Sequence, residues 1–176
     1  MTVSRLSISG TDGILLPGNF DLSLYQDRIV NFATAISGPA SQTISSTTPV
    51  TITGLSITYT PAGPNTTIFI FANISHSLSD VVSFGIFKDG VATVSTAGAS
   101  NLNEPNMQAT YFLGNNAGLI VNSHLMHYET AGNTVTRTYD IRATAAYNGT
   151  ITALYINNRS SNDMACFSHM VIMEID

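Results

Sequence analysis

Short runs of alternating apolar and polar residues follow one another along most of this chain, and their phase carries the first structural information. In Val50-Thr-Ile-Thr-Gly-Leu-Ser-Ile-Thr-Tyr59, Val50 and Ile52 share one parity, while Leu55, Ile57 and Tyr59 share the other. Successive side chains of a strand point to opposite faces. Keeping one face buried through this flip takes an extra residue, which predicts a β-bulge at Gly54. Two other runs are apolar on both parities. Ile68, Ile70 and Ile74 oppose Phe69 and Phe71, and near the end of the chain Val171 and Met173 oppose Met170 and Ile172. An antiparallel strand with one wet face alternates cleanly. A strand apolar on both sides therefore asks for a second cover, which in a one-domain sandwich is most simply a neighbouring subunit.

No segment sustains a 3.6-residue apolar repeat; Leu22–Ala33 has room for a turn or two of helix after Asp21. From Thr48 to Asp176 β-branched and aromatic runs recur at even spacing between Gly, Pro and Asn, the pattern of an antiparallel all-β sandwich or barrel. Two hairpins are well specified, at Asp89-Gly90 and at Asn148-Gly149, because each dipeptide supplies the positive φ of a two-residue type I′ turn. Residues 1–46 differ: Gly10-Thr-Asp-Gly13, Pro17-Gly18, Gly38-Pro39 and a Ser/Thr stretch at 41–48 interrupt each apolar run. The expected organisation is an extended N-terminal arm, 1–46, followed by a β-sandwich domain, 47–176.

Composition narrows the class of function. Only 10% of residues are charged, against roughly 25% in an ordinary soluble domain, while 44% are hydrophobic. Ser, Thr and Asn replace the missing charges. A surface so poor in charge is hard to keep monomeric. Six Lys and Arg, spread singly in a chain of net charge −5, offer no basic patch for nucleic acid. No run of 18 apolar residues suggests a membrane span, and Met1-Thr-Val-Ser-Arg-Leu-Ser7 lacks the apolar run of a secretory signal. The lone Cys166 rules out an internal disulfide, and the expected place of folding is a reducing cytoplasm. Four Asn-x-Ser/Thr sequons are what chance supplies at this composition.

Catalytic constellations are hard to find. Asp163, Cys166 and His169 form the nearest approach to a nucleophile with its base, yet a spacing of three puts Cys166 and His169 on opposite faces of a strand. His124 and His127 also fall on opposite faces, which argues against a shared metal, and Glu129 shares the face of His127 and suits a salt bridge to it. The acids are scattered, without a pair spaced for sugar cleavage or the alternation of a calcium loop. The expectation is no enzyme, no metal and no cofactor. The segment 95–118 is long and Asn-rich, and Asn101, Asn103 and Tyr111 make it a candidate glycan-binding loop. The competing expectation is a plain surface loop with a short strand at 109–113.

Four stretches, in order, resemble a domain common in bacteriophage virion proteins, especially from phages of marine bacteria and cyanobacteria. They are Thr53-Gly-Leu-Ser-Ile-Thr-Tyr-Thr-Pro61 with the Ile-Phe-Ile-Phe that follows, Phe84-Gly-Ile-Phe-Lys-Asp-Gly90, Thr138-Tyr-Asp-Ile-Arg-Ala143 and Met170-Val-Ile-Met-Glu-Ile175. The resemblance covers residues 48–176. Such domains resemble the jelly roll of tumour-necrosis-factor-like and complement-globular-head proteins, which form tight trimers. The resemblance implies an antiparallel jelly-roll β-sandwich and a homotrimer, with Phe69, Phe71, Met170 and Ile172 near the axis. Its implied setting is the virion surface, after assembly in the host cytoplasm. A repetitive fibre shaft is usual in that family, whereas the expectation here is a short arm alone. That favours a capsid decoration (cement) protein whose arm contacts the major capsid protein through Ile14, Leu15, Leu16, Phe20, Leu24 and Tyr25. The alternative is a tail-fibre or collar appendage, joined to a tail or baseplate protein and binding a host-surface receptor or glycan. A secreted signalling or lectin-like protein is a weaker third reading.

Overall fold

The computed structural model describes residues 15–16, 20–21, 29–78, 81–94, 107, 109–112, 118–147, 150–159, 161, 163 and 165–176. Every regular element among them is a strand. In chain order these are β1 (Leu15–Leu16), β2 (Phe20–Asp21), β3 (Ile29–Ser37), β4 (Gln42–Ile44), β5 (Val50–Tyr59), β6 (Thr67–Leu78), β7 (Val81–Lys88) and β8 (Val91–Ala92). They continue as β9 (Ala109–Phe112), β10 (Val121–Thr130), β11 (Arg137–Thr144), β12 (Ala146–Tyr147), β13 (Thr150–Ile151), β14 (Leu154–Ile156) and β15 (Ser168–Ile175).

The long strand β6 organises the first sheet. β10 runs along one side of it from Thr67 to His76. On the other side β15 pairs with Thr67–Asn73 and β14 with His76–Leu78, and β3 and β4 lie outside β15 and β14. The second sheet has the order β5-β11-β7, with β8 and β9 both on the far side of β7. The chain crosses between sheets from β5 to β6, from β6 to β7 and from β10 to β11. The principal strands thus stack as 3-15-6-10 over 5-11-7-9, all antiparallel, which is a jelly-roll sandwich.

Between the sheets, Ile68, Ile70 and Ile74 of β6 and Met170 and Ile172 of β15 join Leu55, Phe84, Ile86, Tyr139 and Ile141 in one buried cluster. Each fully buried aliphatic side chain of this kind stabilises the fold by roughly 1.5–3 kcal/mol. Two carboxylates tie the sheets together at the margins of this core. Glu174, fully buried on β15, accepts hydrogen bonds from Tyr59 Oη at 2.6 Å, from the Ala62 N–H at 2.8 and 3.0 Å, and from Thr66 Oγ1. It holds the end of β5 and the β5–β6 connection against the first sheet. Burial alone would raise its pKa, but the hydrogen bonds from Thr66, Tyr59 and Ala62 outweigh burial and keep it below the ordinary carboxyl value.

Glu129 does the same work from β10. It accepts from Lys88 Nζ at 2.6 Å and from Tyr139 Oη, and Arg137 Nη1 stands 3.4 Å away, so β7 and β11 of the second sheet are both attached to it. His127 Nε2, at 3.9 Å, is within ion-pair range but too far for a hydrogen bond. Burial pushes the Glu129 carboxyl up; the neighbouring His127, Lys88 and Tyr139 more than reverse that and hold it at about 2, from an ordinary 4.5.

Several sequence expectations are met locally. Asp89 and Gly90 have φ of 50° and 83°, and Lys88 pairs with Val91 across the two-residue turn. The β5–β11 register slips near Gly54, where residues 52–55 face the single residue Ile141. Gly54 has φ +84°, and a Cβ there would lie 3.1 Å from the Ile36 carbonyl oxygen, so a side chain in the bulge would be both strained and crowded. The Asn148-Gly149 dipeptide lies outside the described residues, but Tyr147 does pair with Thr150 around it. That ladder is only two residue pairs long, because β11 stays in the second sheet while β14 crosses to the first.

Two expectations need correction. The boundary at 46 cuts through the sandwich: β3 pairs with the whole of β15, and β4 pairs with β14. Residues 29–46 resembled an arm because Gly38-Pro39 and the Ser/Thr stretch after it interrupt their apolar runs, while the pairing of β3 with β15 has no local signature. Of the turn or two of helix expected in Leu22–Ala33, the described part, from Ile29 on, is strand.

Glu129 sets a pH dependence. Its folded pKa is depressed, so its contribution is present above about pH 4.5 and is lost as pH falls towards 2. Urea denaturation between pH 6 and 2.5 is expected to show a loss on the order of 2–3 kcal/mol in the parent. Glu129→Gln should be less stable at pH 6 and should flatten this part of the profile.

Candidate functional site

The outer face of the first sheet is the surface on which this molecule differs most from an ordinary soluble domain. Register places its side chains in rows that cross β3, β15, β6 and β10. One row is Phe32, Met173, Phe69 and Tyr128; the next is Thr34, Val171, Phe71 and Met126; the third is Ile36, His169, Asn73 and His124. None of the twelve is Asp, Glu, Lys or Arg. Phe32 is 68% exposed, Tyr128 65%, Ile36 62% and Met126 60%. Contiguous apolar surface of this kind marks an interaction site.

The aromatic rings are ordered into a platform. Phe69 and Phe71 lie nearly parallel with centroids 6.3 Å apart, and Phe69 also stacks on Tyr128 at 6.0 Å. Next to it, Phe71, Met126, Val171, Asn73, His124 and His169 line a shallow groove of about 300 Å3. The face grades from aromatic at one end to amide and imidazole at the other.

Of the four residues expected near a subunit axis, Phe69 and Phe71 lie on this face. Met170 and Ile172 do not: both have no exposed surface and point into the core. Their neighbours Val171 and Met173 take the outer positions, opposite Phe71 and Phe69. The physical reason is Glu174, which shares the parity of Met170 and Ile172 and is drawn inward by Tyr59, Ala62 and Thr66. Phe32, Met126 and Tyr128 belong to the face and were missed. Their strands show the right periodicity, but only cross-strand register brings them together.

The other candidates are dispersed. Leu15 and Leu16 of β1 pair with Phe20 and Asp21 of β2 in a two-stranded ribbon, while Ile14, Leu24 and Tyr25 lie outside the described residues. Tyr111 is in β9, paired with Val82 of β7; Asn101 and Asn103 lie outside the described residues. Asp163 is engaged by Arg159, its bidentate partner four residues earlier, and by Ser161, which together hold its carboxyl well below the usual range. The Cys166 N–H donates to Asn157 O at 3.0 Å. His127 and Glu129 face inward and His124 outward, as their spacing requires. His76, fully buried, bonds Ser123 Oγ at 2.8 Å and packs on Phe84, and burial lowers its pKa to about 4. It is a neutral core residue at physiological pH.

No protein-family model matches this chain, and no curated protein matches it. Among solved structures, the tumour-necrosis-factor protein Eiger of S. frugiperda is similar over 82% of this chain and 92% of its own, with 9% identity and a TM-score of 0.40.

The parity of β15 has a direct test. Val171→Asp leaves its carboxylate in water, and the variant is expected to keep the parent's circular dichroism spectrum. Met170→Asp, one position away, buries an unpaired charge and should cost more than about 3 kcal/mol in urea denaturation or abolish folding.

Proposed function

We propose that this chain is a non-catalytic structural module that associates with copies of itself through the outer face of the first sheet, as a homotrimer. The observation that carries the reading is the face itself: three rows of side chains without a formal charge, with aromatic rings exposed on a chain that has few charges anywhere. A second copy of the same chain suits it because an uncharged, apolar surface has no charge pattern for an unlike partner to match. A stable interface needs about 800 Å2 from each partner, so the contact extends past these three rows.

The finer setting is the surface of a tailed-bacteriophage virion, as a capsid decoration protein. It rests on the resemblance of residues 48–176 to phage virion domains. In this reading residues 1–28, ahead of β3, supply the contact to the major capsid protein through Ile14, Leu15, Leu16, Phe20, Leu24 and Tyr25.

Light scattering on the purified chain is expected to give three times the chain mass, and Phe71→Asp, with its fold intact, to give the monomer mass. A monomeric parent, or a Phe71→Asp variant that stays trimeric, would refute the interface. Gold-labelled antibody on intact virions checks the setting: label spread over the head supports the decoration protein, and label confined to the tail overturns it.

A further inference from the structure

All four histidines of the chain lie on or beside the β15-β6-β10 strands of the first sheet, two facing in and two facing out. The outward pair share one row. His124 of β10 is in register with Asn73 of β6, and so is His169 of β15, from the opposite side. The three line the same end of the groove. Asn73 stands between the two histidines in register, and its Oδ1 is buried and has no hydrogen-bond partner. An unsatisfied amide oxygen of this kind calls for a donor or a cation.

The geometry points to a transition-metal site at this end of the groove, with His124 and His169 as ligands to a divalent zinc-like ion and Asn73 Oδ1 beneath it. Two antiparallel steps put the two histidines about 10 Å apart at Cα. An imidazole nitrogen with a metal–nitrogen bond of about 2.0–2.1 Å reaches some 6.5 Å from its own Cα. The two side chains can therefore meet above the middle strand. Imidazole suits zinc, nickel and copper. Among the twelve residues of the three rows no Lys or Arg repels the ion, and no Asp or Glu ties up the imidazoles. Among the described residues no third His, Cys, Asp or Glu completes the set, so the ion keeps positions for water or for donors of another copy.

This inference goes beyond the proposed self-association and does not depend on it. The test is isothermal titration calorimetry of the full metal-free chain with zinc chloride, repeated with nickel chloride. One ion per chain is expected, and His124→Ala and His169→Ala should each weaken binding at least about tenfold, the loss that follows even from removing a ligand's supporting partner. Cys166→Ser should leave binding unchanged. Absence of binding overturns the proposal, as does binding that survives both histidine substitutions or disappears with Cys166→Ser. Light scattering on the same samples separates this from the earlier reading: a monomer that binds zinc through His124 and His169 refutes the trimer alone, and a trimer that binds none refutes the metal site alone.

Discussion

Which way β15 faces governs what this molecule offers to its surroundings, because β15 and its neighbour β6 carry apolar side chains on both parities. Hydrophobic burial alone does not decide between the two settings: either would put two large side chains of β15 into the core. The decision falls to Glu174. Turned outward, it would leave Tyr59 Oη, the Ala62 N–H and Thr66 Oγ1 without their common acceptor; turned inward, it satisfies all three. A buried polar group without a partner costs about 1–3 kcal/mol, which Tyr59 Oη would incur in full. The loss at the part-buried Ala62 N–H would be smaller, and Thr66 Oγ1 would keep the Gly63 carbonyl. Met170 and Ile172 against Val171 and Met173 differ little in what they bury, so this polar cost decides. One carboxylate thereby assigns Val171 and Met173 to the outer face and completes its rows.

Glu129 has the complementary role at the other side of the first sheet. It engages Lys88 and Tyr139, and stands close to Arg137, so β10 is held to both β7 and β11. With Glu174 attaching β15 to the end of β5, each flank of the sandwich has its own polar tie. Among the described residues, Lys88, Glu129, Arg137 and Glu174 use their charges between the sheets, and Arg142, paired to Asp140 at 2.7 Å and stacked on Phe87, lies along the second sheet. The outer face of the first sheet is left without any.

The features legible in the sequence were those fixed by neighbours in the chain. Asp89-Gly90 required a two-residue turn, the phase flip at Gly54 required a bulge, and the two-sided apolar pattern of β6 and β15 required apolar side chains on the outer face of their sheet. Features fixed by distant residues were not legible. The ordinary rule that an acid marks the wet face of a strand misassigns β15, since Glu174 is satisfied by residues 108 to 115 positions away. Edge strand β3 looks like an arm because Gly38-Pro39 and the Ser/Thr stretch interrupt the apolar runs there, and its pairing with β15 has no local signature. His124 and His127 were compared as sequence neighbours, whereas the spatial neighbour of His124 is Asn73, and beyond it His169.

The uncharged face also has a kinetic meaning. Charged interfaces draw partners together through long-range fields, lifting association rates towards about 10^8–10^9 M⁻¹s⁻¹ at low salt. A surface without formal charge supplies no such field. Encounters through it proceed at no more than the unsteered rate of about 10^5–10^6 M⁻¹s⁻¹, and the net charge of −5 on each copy adds a mutual repulsion that salt screens. How quickly two such faces find each other is then set chiefly by how many chains are present in one place, so crowding newly made copies together is the most effective way to hasten their docking.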